Sequence, residues 1–283
     1  MAFFAVASIQ FPATYAQEPG SQRTLLTWVA FEQAPYFIRT GALKNKGVGD
    51  YLLAKYQAAM PMFDHTVVFA NTSRYARALK SPNICVPMAW SRAEEEHLLH
   101  SRAHTIEPPM GLLMHKENNI PSAGENPLSL KKIMGETNLR IIALKPFQYP
   151  TAILDILDKY ETTGRVMYLT DHTIEINERL LERKRADIAI AIPSKMTELN
   201  MRNMGAAFQF RAIEELNTYL TLMSHCSNDP AGQTASDIIG QMLTDEFLEE
   251  LLTRYLTWYT DVPKFEASYR STILETSPKP KPQ

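Results

Sequence analysis

Glycine and cysteine are scarce in this chain: 283 residues hold eleven glycines and two cysteines, and neither sign of charge dominates, with 29 Lys plus Arg against 31 Asp plus Glu. Without a basic excess there is little to neutralise phosphates, so nucleic acid is not an expected partner, and no acidic tail is present. No fixed period of self-similarity stands out, which excludes a repeat array. Beyond the first residues no apolar run approaches the length needed to span a bilayer, so a soluble product is expected. Catalytic signatures are also missing. Gly47-Val48-Gly49 lacks the third glycine of a dinucleotide fingerprint and sits too far after its strand; it is read as turn chemistry with Asp50 capping a helix. No GxSxG nucleophile elbow and no HExxH zinc motif occur, and nothing points to a carboxylate pair for glycoside hydrolysis.

What is there describes a globular protein. At 45% hydrophobic and 21% charged residues, the chain is long enough for one large domain or two lobes. Residues 1–16 are apolar to Phe11, broken by Pro12, and end in Thr14-Tyr15-Ala16 with small residues at −3 and −1. This reads as a signal peptide cut after Ala16, although no Lys or Arg precedes the apolar run; the alternative is a buried amphiphilic leader. Residues 273–283, ending in a proline-rich polar tail, are expected to be disordered.

From Thr24 strand and helix patterns alternate. Strands are expected at 25–31, 65–70 and 83–89, with helices at 50–60 and 73–80 between them. A second series follows: strands at 110–116, 140–144, 186–193 and 207–213, with helices at 128–134, 151–160 and 175–185. Thr218–Cys226 and two helices, 231–243 and 245–258, close the chain. Such succession indicates parallel βαβ units, whose ligands settle at the carboxyl ends of the strands.

Pro108-Pro109 before GLLMHKENN, ERKRADIAIAI before a late strand, and YLTLMSHCSNDPAGQTASDIIGQML leading to FLEELLTRYLTWY carry a resemblance. Over about Thr24 to Tyr269 the chain resembles the type II periplasmic solute-binding fold and is similar to the family 3 proteins that bind amino acids for ABC transporters. The resemblance implies two α/β lobes, each a mostly parallel sheet flanked by helices, with the ligand cleft between them. Lobe one would comprise 22–108 and 215–272, and lobe two 109–214. The hinge would be two crossings, near His104–Pro109 and near Glu214–Tyr219.

In that fold the ends of the lobe-one strands face the cleft, which makes Glu32, Tyr36 and Phe37 ligand-binding candidates; the alternative is that Tyr36 and Phe37 cap the apolar core. Trp90, Ser91 and Arg92 follow the third strand. Lobe two would contribute Tyr149 and Thr151, where a helix begins and its free N–H groups favour a polar oxygen. Two marks of α-amino-acid recognition are missing or moved. The family arginine that clamps the carboxylate falls on Glu94, with Arg92 a displaced substitute, and the family aspartate for the amino group is replaced by Pro193-Ser194-Lys195. Asp187 precedes its strand and reads as structural.

Other clusters receive plainer readings. His97, His100 and His104 are spaced for one helical face and read as solvated rather than metal-binding. Glu178 to Arg185 reads as the wet face of a helix. The resembled fold places the strands of Cys85 and Cys226 in one sheet, which implies a disulfide in an oxidising compartment; the alternative is two buried thiols. The expected function is a periplasmic, monomeric, non-enzymatic protein that captures a small polar solute, without metal or cofactor, for an ABC permease or a membrane sensor. An enzyme on the same scaffold and a stand-alone sensing domain are the alternatives.

Overall fold

The computed structural model describes residues 23–90, 97–118, 120, 127–144, 149–169, 176–259 and 261–275. The first series begins with β1 (Leu25–Ala30), α1 (Val48–Ala59), β2 (Asp64–Phe69), α2 (Thr72–Ala78) and β3 (Ile84–Trp90). Two three-residue strands, β4 (Leu98–His100) and β5 (Thr105–Glu107), end it. The second series runs β6 (Gly111–His115), α3 (Leu130–Glu136), β7 (Ile141–Leu144), α4 (Thr151–Glu161), β8 (Val166–Leu169), α5 (Ile176–Glu182), β9 (Ile188–Ala191), α6 (Ser194–Met201) and β10 (Phe208–Ala212). The chain then returns through β11 (Leu220–Ser227), α7 (Pro230–Met242), α8 (Asp245–Tyr255) and α9 (Val262–Tyr269).

These strands make two sheets. The first is ordered β2-β1-β3-β11-β4, with β5 also pairing β11; the second is ordered β10-β6-β9-β7-β8. The βαβ alternation produces the parallel pairs β1/β2, β1/β3, β7/β8 and β7/β9. Both sheets are mixed, because strands that arrive from the other sheet or leave for it run antiparallel: β11 lies against β3, β4 and β5, and β6 against β9 and β10. Each sheet with its own helices is one lobe of a two-lobed α/β fold.

Alternation along the central strands sends side chains to two apolar layers. Leu26, Trp28 and Ala30 of β1 pack with Leu52 and Tyr56 of α1 and with Leu248, Leu252 and Tyr255 of α8, while Val29 joins Tyr75 and Val86 on the opposite face. In the second lobe Leu112, Ile141 and Ile188 face Ile153 and Leu157 of α4, and Leu113, Ile142 and Ala189 face Leu181 and Leu199. The larger layer holds residues of both lobes, with Ile106 and Met110 among them. Caps fix several helix starts: Asp229 accepts from Ala231 and Gly232 N–H at 3.1 and 3.0 Å, and Thr244 from Phe247 N–H at 3.3 Å. The caps of α7 and α8 therefore agree with the sequence boundaries.

Cys85 and Cys226 stand directly opposite one another in β3 and β11 and form a disulfide, with Cα atoms 4.1 Å apart. Two other expectations are corrected. His97, His100 and His104 are not on a helix: His100 ends β4, and His104 lies in extended chain before β5, wholly buried against Ser224. A local spacing of three and four mimicked a helix where pairing with β11 draws the chain out. Nor is Glu178 on a wet face, since it is buried and paired with Lys195 of α6 at 2.6 Å. Asp187, by contrast, is structural as expected, accepting from Arg140 N–H at 2.8 Å.

Candidate functional site

The carboxyl ends of β1 and β3 frame a concavity that is open to solvent and lined by Phe31, Gln33, Tyr36, Phe37, Tyr75, Met88, Ala89, Trp90 and Leu222. A second concavity adjoins it across Phe31 and Gln33 and adds Glu32, Phe69, Ala70 and Asn71. The loop after β1 is built to hold this wall. Gln33 and Phe37 form a bridge, with Gln33 N–H donating to Phe37 O at 3.0 Å and Phe37 N–H to Gln33 O at 2.9 Å. Its far side is tied to α1: Val48 N–H donates to Pro35 O at 2.8 Å and Asp50 N–H to Tyr36 O at 3.0 Å. Gly47 is required there, because a Cβ would stand 2.1 Å from Tyr36 O.

Asp50 acts from the third position of α1, accepting from the N–H groups of Gly47 at 3.0 Å and Ile38 at 3.1 Å. Burial raises its carboxyl above the usual range, against the lowering effect of those two N–H groups. The carboxylate therefore serves as a loop clasp and is spent on the backbone.

The aromatic wall is itself ordered. Phe31 and Tyr75 rings lie 4.4 Å apart, and Phe37 meets Phe69 edge to face at 6.0 Å, with the Arg39 guanidinium 4.2 Å over the Phe69 ring. Tyr36 is 5% exposed and packs edge-on against Tyr255 at 6.4 Å. Trp90 ends β3, half-buried and level with Leu222 of β11.

Of the residues singled out from the sequence, Tyr36, Phe37 and Trp90 line the first concavity and Glu32 the second. Tyr149 is buried in the apolar layer and Thr151 is exposed in the first turn of α4; neither is among the described residues lining the two concavities. Ser91 and Arg92 lie outside the described residues, as do Glu94, residues 1–16 and most of the expected tail. Sequence reasoning passed over Phe31 and Gln33, which flank Glu32 in the same segment, and Tyr75, Met88 and Leu222. The last three carry no local signal, because their helix and strands read as ordinary core elements.

Lys195, which follows the strand end where the resembled family carries an aspartate, is held by Glu178 at 2.6 Å and Glu198 at 3.0 Å, with Arg202 also 3.4 Å from Glu198. Among the described lining residues Glu32 is the one that is formally charged.

No protein-family model and no curated protein sequence matches the chain. Solved structures do. A histidine kinase sensor domain with similarity to periplasmic binding proteins superposes with a TM-score of 0.62 at 12% identity, covering 84% of this chain and 96% of that one. An ancestral arginine-binding protein bound to arginine gives 0.58 at 13% identity, with coverages of 84% and 99%. The Bordetella pertussis BvgS periplasmic VFT2 domain gives 0.57 at 14% identity, with coverages of 83% and 93%. The fold is thus that of type II periplasmic binding proteins, shared over nearly the whole length of each neighbour.

Proposed function

We propose that the protein is an extracytoplasmic solute-binding protein, which closes two lobes on a small polar solute and presents it to an ABC permease or a membrane sensor. The observation that carries this reading is the aromatic concavity at the carboxyl ends of β1 and β3, on a fold whose neighbours include a sensor domain and an arginine-binding protein. Lobe one comprises 22–108 and 215–272, and lobe two 109–214. The switch of sheet between β5 and β6 and again between β10 and β11, consecutive strands in the chain, supports crossings near 104–109 and 214–219. The leader at 1–16 directs export.

Glu32, Tyr36, Phe37 and Trp90 are the proposed ligand-binding residues of lobe one, with Ser91 and Arg92, next in the sequence, as further candidates, and Tyr149 and Thr151 are the candidates of lobe two. A wall of aromatic faces with one carboxylate suits a solute that has an apolar ring or chain and a hydrogen-bond donor or amine. A standard α-amino acid is disfavoured by Glu94 at the place of the carboxylate clamp and by the engagement of Lys195 in lobe two.

A thermal-shift screen of the mature protein against amines, organic acids, amino acids and sugars tests the reading, since ligand at a hundred times its dissociation constant adds about 2.7 kcal/mol of stability. Calorimetry on the hit should then show Trp90→Ala binding about 1 to 3 kcal/mol more weakly. Unchanged affinity in Trp90→Ala, Tyr149→Ala and Arg92→Ala alike would refute the cleft assignment.

A further inference from the structure

A buried polar seam lies where the lobes meet, adjoining the aromatic wall through Tyr255, which packs edge-on against Tyr36. Its centre is Glu107, the last residue of β5, which is 0% exposed and whose two carboxylate oxygens have no hydrogen-bond partner among the described residues. Thr105, on the same side of β5 two residues earlier, is equally buried, its hydroxyl within reach of the Tyr255 phenol. Tyr255 of α8 and Tyr259, just beyond the turn Leu256–Trp258, both feel the Glu107 carboxyl electrostatically. The fifth group comes from the other lobe: Ser194, the first residue of α6, wholly buried and within reach of Tyr259. Beside it Thr197 of α6 donates to the Trp258 carbonyl at 2.6 Å, a direct hydrogen bond between the lobes.

Among the described residues no cation is paired with Glu107. From β11 the opposing residues are Leu220, Thr221 and Leu222, and Tyr219 just before them acts on Tyr259. From α8 and the following turn come the two phenols. The π-helical segment Arg270–Leu274 sends in Ile273, while its Arg270 is taken up by Glu249 and Glu266. From α6 comes the Ser194 hydroxyl, with Lys195 held by Glu178 and Glu198. His104, preceding β5, is also buried but is bonded into lobe one through Ser224. An ionised carboxylate accepts hydrogen bonds and donates none, and leaving one unpaired in such a place is far more costly than leaving the neutral acid. Burial accordingly raises the Glu107 carboxyl well above the carboxylate range, with no opposing charge to lower it.

We propose that Glu107 is a proton-linked latch of the hinge: packing α6 over Tyr259 and the hinge strand requires the neutral acid, and ionisation of Glu107 parts the lobes by admitting water to the seam. The inference rests on the two-lobed reading but not on any solute. The sign follows from linkage. The packed state holds the proton above the usual glutamate value of 4.5, so packing is unopposed below that pH and weakens as pH rises beyond it. The shift in the packed-to-open ratio approaches tenfold per pH unit, the limit for one proton, until the group's own raised value is passed.

Small-angle scattering of the solute-free full chain, from roughly pH 5 to pH 8, should show the radius of gyration of the wild type growing with pH and that of Glu107→Gln staying constant. A wild-type radius indifferent to pH overturns the proposal, and so does an equal response in the variant. Should Glu107→Gln fail to fold, infrared spectra of the wild type carry the decision. A protonated carboxylic acid band that persists at about pH 6, where exposed glutamates are ionised, and fades as the radius grows supports the latch; its absence there overturns it. Because no ligand enters these measurements, a failed solute screen would leave their outcome unaffected.

Discussion

Removing the Cys85–Cys226 bridge is a perturbation whose size follows from the topology. The bridge closes a loop of 141 residues in sequence that contains the whole second lobe. Loop-closure entropy for that length is worth about 5 kcal/mol at 25 °C, and measured effects usually fall below the model value, so a loss of about 2 to 5 kcal/mol is expected for Cys85→Ala/Cys226→Ala. The native state should change little. Cys85 and Cys226 are 0% and 1% exposed, and their strands are also held by backbone pairing at Val86/His225, Ala89/Met223 and Trp90/Leu222. The three tryptophans make the assay specific, because Trp28, Trp90 and Trp258 all belong to the first lobe. Urea unfolding followed by tryptophan fluorescence therefore reports the lobe that carries the bridge, while far-ultraviolet circular dichroism reports both. The fluorescence midpoint should fall, and its slope against urea should steepen, because an unlinked denatured chain exposes more surface. A first-lobe stability lowered by less than about 1 kcal/mol, with an unchanged slope, would mean that the bridge does not constrain the unfolded chain and would refute the reasoning.

Two further outcomes follow from buried geometry. Gly111, at the start of β6, has no room for a methyl group, since a Cβ would stand 2.3 Å from Arg211 O and 2.5 Å from the Phe210 ring; Gly111→Ala should cost about 1 to 3 kcal/mol by overpacking, read as a lower denaturation midpoint, and an unaltered midpoint would contradict the tight β6/β10 contact. His104 is neutral in the fold, its pKa lowered by burial from 6.5 to about 3 despite an opposing backbone hydrogen bond at Pro87. A lowered histidine value means stability that is complete above about pH 6.5 and drains as pH falls toward 3. First-lobe stability measured by fluorescence should decline over that window in the wild type and less steeply in His104→Gln, and equal slopes would refute the assignment.

The parts of the fold that were legible in the sequence are those where many residues share one periodic pattern. LTWVA, ICVPM and IAIAI sit in the middle of sheets, and their apolar runs are long enough to mark strands without help from tertiary context. The three-residue strands β4 and β5 were not legible, because LLH and TIE become strands only by lying against β11. The same blindness produced the misreading of the histidines: their spacing is helical only if the chain is helical, and the partner strand decides that. Glu178 was misread for a related reason. A charged residue in a charged helix looks solvated until another helix supplies Lys195, 17 positions later in the sequence. At the site, the aromatic loop after β1 was legible because aromatics at a strand end are unusual, whereas Tyr75 and Leu222 reach the same concavity from elements that look purely structural.

Glu107 shows the limit in its sharpest form and explains why the hinge is where the limit falls. In the sequence TIEPP it reads as a polar residue before a proline turn, and such residues are mostly exposed. Its surroundings are assembled from parts that are far apart in the chain: β11 pairing over Leu220, α8 placing Tyr255, and Tyr259 beyond it, which is within reach of Ser194 of the second lobe. None of these can be inferred from the residues near position 107, and on the latch proposal the last exists only while the lobes are packed. A lobe core is satisfied in every state of the protein, so its composition can be purely apolar and its pattern strong. A hinge has to be tolerable both packed and parted, and a residue that is neutral when dry and ionised when wet meets both demands with one side chain. On the latch proposal, the ionisable group in the crossing strand follows from motion between the lobes and is not a defect in an otherwise well-filled core.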